Sequence, residues 1–230
     1  MSRCAVGIVD RLATPMCDGC IHAARCLIAR TQTAWPGEVE ARRVRAGQTL
    51  LRQGEPVTHV LVVQVGLVTL RRQGDGTAMR AVAVVGPGQG LGVRALAGHA
   101  PAAVDAEALT DARVCQRPVS RDGVPPAVLS ASLDECTRLA ETLSDWAALG
   151  RLPTASERVE AVLRRLAQCT GSAEVPLPER TLLAELAACA PETVSRAVGM
   201  LICQGRLRRG GPRRVQLTAA APVTARTPPP

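Results

Sequence analysis

Apolar residues change their spacing twice along this chain, and each change predicts a different kind of element. Between about Val39 and Arg117 they come in short runs separated by glycines, among them Gly47, Gly54, Gly66, Gly74, Gly76, Gly86, Gly88 and Gly90. The stretches HVLVVQVGLVTLRR, from His59, and AMRAVAVVG, from Ala78, are rich in valine and predict strands. The segment RQGDGTA between them predicts a hairpin turn. Several short strands at this spacing predict a compact antiparallel barrel or roll.

Past Val128 the period lengthens. Leu129, Leu133, Cys136, Ala140, Leu143 and Ala147 follow one another at steps of four and three, up to Leu149. That is an a/d seam over nearly three heptads, and it predicts one long helix. Leu139 and Trp146 widen the stripe, and Asp134, Glu135, Glu141 and Asp145 flank it. Such a helix either packs against its twin in a dimer or lies on its own barrel, and the pattern leaves both readings open. In a dimer Asp145 comes close to its symmetry mate, where like charges weaken association.

Gly150 to Pro153 ends that helix, and Thr154 is a suitable cap for the amphipathic run TASERVEAVLRRLAQC. Residues 176–217 then predict a helix, a tight turn, a second helix and a basic hairpin. Leu182, Leu183 and Leu186 give the first helix an apolar face, and Ala188-Cys189-Ala190 form the turn. Pro191 suits the first position of the second helix, where its missing N–H costs nothing. Val194, Val198, Leu201 and Ile202 point inward there, which leaves Glu192, Thr193, Ser195 and Arg196 at the exposed N-terminal end. Those side chains match the donors and acceptors of base edges, and a recognition helix reads with that end. Arg206, Arg208, Arg209, Arg213 and Arg214 surround a Gly-Gly-Pro turn, a tip suited to phosphates.

Charge strengthens this reading. All 28 basic residues are Arg; residues 151–230 hold 12 of them against 6 acids, whereas residues 1–150 hold 16 against 14. The excess sits in the last third, as in a module with a polyanionic partner. With no Phe, no Tyr and only Trp35 and Trp146, the core has to be built from aliphatic side chains. No run reaches the ~18 apolar residues of a membrane span, and the N-terminal residues lack a signal-peptide core. The chain is therefore read as cytoplasmic, where nine cysteines point to metal or redox roles rather than disulfides. Three of them, Cys17, Cys20 and Cys26, fall in CDGCIHAARC with spacing C-x2-C-x5-C. That spacing alone leaves zinc and iron–sulfur ligation open. Cys136, Cys169, Cys189 and Cys203 fall among apolar positions and read as small core residues, and Cys4 as a spare thiol. His22 reads as solvated. No activated nucleophile or paired carboxylates argue for an enzyme.

A glycine-punctuated roll, a long helix and a helix-turn-helix containing ETVSR together resemble the Crp–Fnr family of bacterial transcription regulators, over roughly residues 17–217. The resemblance implies an α+β chain with an N-terminal cyclic-nucleotide-binding-like β-roll, a long dimerisation helix and a C-terminal winged helix-turn-helix. The corresponding divisions are a cysteine-rich segment to residue 35, a roll over 36–125, the helix over 126–150, the DNA-binding domain over 151–217 and a disordered tail. E-x-x-S-R is the form of the Fnr branch; the Crp branch has Gly where Ser195 stands. By that resemblance Glu192, Ser195 and Arg196 read a TTGA-type half-site, and a homodimer reads a palindrome of two, with RNA polymerase as a further partner.

Fnr-type regulators are similar also in an N-terminal C-x2-C-x5-C and a fourth cysteine at the end of the roll, where Cys115 stands here. The resemblance thus implies a 4Fe–4S cluster on Cys17, Cys20, Cys26 and Cys115 and a response to oxygen, with nitric oxide or redox state as the alternative signal. It pictures a flexible N-terminal loop that the cluster clips to the body of the roll. Crp-type cAMP binding needs a Glu after the phosphate-loop glycine and an Arg–Ser or Arg–Thr pair soon after. Val93 follows Gly92 and no such pair follows, which argues against cAMP. Ala188 and Ala190 depart from the family's common Gly and Ser or Thr. The expected costs are a strained left-handed residue and an uncapped recognition helix.

Overall fold

Valine-rich runs bounded by glycine do become strands, and the glycines sit where the chain has to turn hard. The computed structural model describes residues 11–12, 17–35, 38–76, 78–98, 101–119 and 123–218. Cys4 and the tail beyond residue 218 lie outside them. The chain divides into two units, Met1–Ala148 and Leu149–Pro230.

The first unit begins with β1 (Arg11–Leu12), a 3-10 turn at Cys17–Gly19 and a short helix α1 (Leu27–Arg30). Eight strands follow: β2 (Glu40–Val44), β3 (Thr49–Leu51), β4 (His59–Val65), β5 (Val68–Arg72), β6 (Arg80–Val85), β7 (Gly90–Leu91), β8 (Asp105–Ala108) and β9 (Ala112–Pro118). They form two antiparallel sheets, ordered β1-β2-β9-β4-β7 and β3-β8-β5-β6, with a 3-10 segment at Val93–Ala97. The predicted hairpin is β5–β6. The β4–β5 corner depends on Gly66, whose φ is +94° and where an added Cβ would lie 2.6 Å from the Asp111 carbonyl oxygen. Strand β9 lies between β2 and β4, and Cys115 stands opposite Ala41 on one side and Val62 on the other.

Helix α2 (Pro126–Leu149) has two different faces. Val128, Ala131, Ser132, Glu135, Thr142 and Trp146 are buried against the roll. Trp146 donates its indole N–H to the Val84 carbonyl at 3.0 Å, and Gln89 donates to the Thr142 hydroxyl at 2.9 Å. The heptad positions lie elsewhere: Leu129, Cys136 and Leu143 are half-buried, Ala140 and Ala147 are exposed, and Leu133 is 65% exposed. Two sequence assignments are corrected by this. Trp146 does not widen the seam and Glu135 does not flank it; both belong to the inward face, because at about 100° per residue they lie roughly 100–120° around the helix from the centre of the a/d stripe.

The second unit starts with α3 (Ala155–Thr170), opened by the predicted cap as a full capping box: Thr154 accepts from the Glu157 N–H, and the Glu157 carboxylate accepts from the Thr154 N–H. Next come β10 (Glu174–Pro176), α4 (Arg180–Leu186), α5 (Pro191–Cys203), β11 (Leu207–Arg209) and β12 (Arg214–Leu217). The strands form an antiparallel sheet ordered β10-β12-β11, and α4 meets α5 at 90°, a helix-turn-helix angle. Pro191 opens α5; Ala190 before it makes no side-chain cap bond, and Ala188 takes the left-handed conformation at φ +47°. Among the described residues no single helix is long and apolar enough to cross a membrane.

Candidate functional site

The CDGCIHAARC stretch folds as consecutive tight turns. The Cys20 N–H donates to the Cys17 carbonyl at 3.1 Å, and the Cys26 N–H donates to the His22 carbonyl at 2.9 Å. Cys26 then starts α1, which drives Leu27 and Ile28 against the side chains of Val60, Val62 and Cys115 on β4 and β9. Both are fully buried, and Trp35 is 1% exposed. Together with Cys17, Cys26, Cys115, Val60, Val62, Val93, Val128 and Ala131 they make one apolar cluster. Each large apolar side chain buried in this way contributes about 1.5–3 kcal/mol. The segment is also tied to α2, where Arg30 donates to Asp134 at 2.8 Å. This corrects the picture of a flexible loop: 17–35 is docked by its own apolar anchors, which the cysteine spacing does not reveal.

Cys17, Cys26 and Cys115 are buried and Cys20 is half-buried. The Cys115 thiol is pushed up to about 12, first by burial and then by the nearby charges of Cys26, Cys17 and Cys20, with Arg113 opposing. Cys26 is raised by burial, partly offset by the Ala29 and Ile28 backbone N–H groups, and raised further by Cys17 and Cys20. The fold therefore brings a thiol at the end of the roll beside three thiols of the N-terminal segment. They are not gathered around a single point: among the described residues no group of three or more His, Cys, Asp or Glu side chains is arranged to hold one metal ion. Thiols are a donor set that both zinc and iron–sulfur clusters accept. His22 is half-buried. Of the other cysteines expected in the core, Cys136 is half-buried and packs against this same cluster, Cys169 and Cys189 are half-buried, and Cys203 is exposed, which corrects its core assignment.

Two residues that the spacing did not single out complete this region. Arg117, 4% exposed, lies over the Trp35 ring with its guanidinium carbon 5.3 Å from the centroid. Glu135, 2% exposed, accepts the Gly90 N–H and pairs with Arg138.

In the second unit Val194, Ala197 and Leu201 are buried, Val198 and Ile202 half-buried. Glu192, Ser195 and Arg196 are exposed at the start of α5, with Thr193 half-buried beside them. Between α5 and the β11–β12 hairpin lies a cavity of about 550 Å³, bordered by Ser195, Arg209 and Arg213. All five hairpin arginines are exposed, but three are engaged. Arg206 pairs with the buried Glu160, Arg213 with Glu179 at 3.1 Å and Arg214 with Glu174 at 3.1 Å. Arg206 is thus held against α3, whereas Arg208 and Arg209 project from the hairpin. A second, polar cavity of about 380 Å³ opens in the roll, bordered by Arg42, Arg52, His59 and Gln116.

Residues 41–121 match the cyclic nucleotide-binding domain family, a kind of domain that suggests ligand sensing. No curated protein matches the chain by sequence. Among solved structures it is similar to FixK2 from Bradyrhizobium japonicum, at 23% identity and a TM-score of 0.64, covering 80% of this chain and 99% of that one. A CRP/FNR-family transcriptional regulator from Thermus thermophilus is 25% identical with a TM-score of 0.61, over 78% of this chain and 93% of that one. The c-di-GMP-responsive regulator CLP from Xanthomonas campestris is 18% identical with a TM-score of 0.62, over 84% and 99%. The chain thus has the α+β fold of the CRP/FNR transcription regulators, with the nucleotide-binding-type roll in front and the helical region behind. The Thermus and Xanthomonas neighbours are named as regulators, not as enzymes.

Proposed function

We propose that this chain is a homodimeric, oxygen-responsive transcription regulator of the Crp–Fnr type that holds a 4Fe–4S cluster on Cys17, Cys20, Cys26 and Cys115. The observation that carries this reading is the approach of three N-terminal thiols to Cys115, a residue locked in register in the middle of a sheet. Such a cluster supplies a centre that oxygen can oxidise and dismantle. The chain's own residues supply the rest. Leu27, Ile28 and Trp35 exclude water on the sheet side of the thiols, and Arg30 connects the segment to α2 through Asp134. The partly exposed seam from Leu129 to Ala147 is the surface for a second copy. Glu192, Ser195 and Arg196 read base edges while Arg208 and Arg209 contact phosphates, so that two copies span a palindromic TTGA-type site.

Val93, buried directly after Gly92, takes the place of the acidic group that a cyclic nucleotide's ribose needs, which argues for a signal other than cAMP. The test is an absorbance spectrum with iron and sulfide assays on protein purified without oxygen and then exposed to air. A band in the region of ~400 nm, about four irons per chain and bleaching in air are expected of this ligation. Colourless protein carrying one zinc would overturn the sensing mechanism and leave the DNA-binding fold in place.

A further inference from the structure

Arg117 follows Cys115 by two residues on β9, so the two side chains leave the same face of the strand. That face is covered by the cysteine-bearing segment. Arg117 is 4% exposed and stacks on Trp35, itself 1% exposed. Stacking on an indole stabilises the guanidinium modestly. Sealing a full positive charge from water costs more than the ring returns, so negative charge nearby is what keeps the guanidinium charged. Cys17, in the same apolar cluster as Cys115 and Trp35, is one source of it: negative charge there favours the charged guanidinium, against the burial that disfavours it.

We propose that Arg117 is the buried countercharge of the four-thiolate site and raises the reduction potential of the cluster held there. This rests on the cluster reading above. Four thiolates on a 4Fe–4S core in its 2+ state give a net charge of −2. One electron, taken from a chemical reductant such as dithionite, makes it −3, with no bond made or broken. A fixed positive charge in a water-poor site favours the more negative form. Because Arg117 is buried, added salt screens the effect little. Arg117 acts in this role through its charge; it is a positioning residue, and a merely structural arginine would alter how much cluster is held without moving its potential.

The experiment is an anaerobic redox titration, followed by electron paramagnetic resonance, of the full chain after cluster reconstitution, for wild type, Arg117→Gln and Arg117→Lys. The glutamine variant is expected to make reduction about tenfold less favourable, ~59 mV for a one-electron couple. The lysine variant, which keeps the charge, is expected to stay near the wild-type potential. A glutamine variant that loads and titrates with wild type overturns the countercharge role and leaves the cluster reading intact. Wild-type protein that takes up no iron and sulfide overturns the cluster reading, and the proposal with it. If the glutamine variant fails to load, the lysine variant decides: a wild-type potential supports the role, and a displaced one overturns it.

Discussion

The Gly90 backbone N–H donates to the Glu135 carboxylate at 2.6 Å, joining β7 to the inner face of α2. A Cβ at position 90 would lie 3.0 Å from the Glu135 Cγ, so strand and helix meet as closely as glycine permits. Burial raises the Glu135 carboxyl above its ordinary value, against the Gly90 N–H and Arg138, which lower it. Glu135→Ala leaves the Gly90 donor unpaired and is expected to destabilise the N-terminal unit by about 1–3 kcal/mol, read as its urea midpoint. Glu135→Gln keeps an acceptor and costs less. The native carboxyl binds its proton more tightly than the unfolded one. Its contribution is therefore full below the ordinary value of 4.5 and is lost as pH rises through the raised native value. The glutamine variant should lose that part of the pH dependence; an unchanged profile would show that Glu135 is not its source.

Leu133 is 65% exposed on a helix whose opposite face is buried in its own roll. In a dimer the two copies of this side chain together contribute about 3–6 kcal/mol. Leu133→Glu removes that contribution and sets two carboxylates face to face. Dimer affinity should fall by at least about a hundredfold, giving monomers by sedimentation velocity with an unchanged circular dichroism spectrum. A persistent dimer would place the subunit contact away from the Leu129–Ala147 seam.

The same helix shows what could and could not be read from the sequence. Its length was legible because heptad spacing is a local pattern. Its inward face was not, since Glu135 and Thr142 are polar and buried only because Gly90 and Gln89 come from distant strands to meet them. The hairpin at RQGDGTA and the Thr154 cap were legible for the same local reason, and the left-handed Ala188 through the family resemblance, whose common residue there is Gly. Arg117 was not singled out, although its position two residues past Cys115 on a strand was visible. Only the docking of Trp35 shows that this arginine is buried. Among the arginines of the hairpin, composition gave a basic tip, but which ones are engaged depends on Glu160, Glu174 and Glu179, tens of residues away.

Cys115→Ala tests the fourth ligand. The substitution removes one sulfur from a site that keeps its apolar walls, so the roll should still fold. The visible absorbance, the iron and anaerobic DNA binding are expected to be lost together. Cys203→Ala, at an exposed position outside the cluster of Cys17, Cys26 and Cys115, should leave all three unchanged. Full iron content in the Cys115 variant would assign the fourth ligand to another group.

Three arginines of the second unit should separate by what each one touches. Arg196→Ala, at the exposed start of α5, removes a base-edge contact and is expected to cost about 1–3 kcal/mol on a TTGA-type site with little change on unrelated DNA. Arg208→Ala removes a phosphate contact. It should weaken binding to all sequences alike and reduce the slope of log affinity against log salt by about 1. Arg206→Ala differs from both, because Arg206 pairs with Glu160, a carboxylate only 3% exposed that then keeps Arg164 alone. Its loss should appear first as a lower urea midpoint of the C-terminal unit, with the salt slope unchanged. Fluorescence anisotropy over a salt series, on matched specific and scrambled duplexes, distinguishes the three. If Arg196→Ala and Arg208→Ala had the same effect on both duplexes, α5 would not be the reading helix.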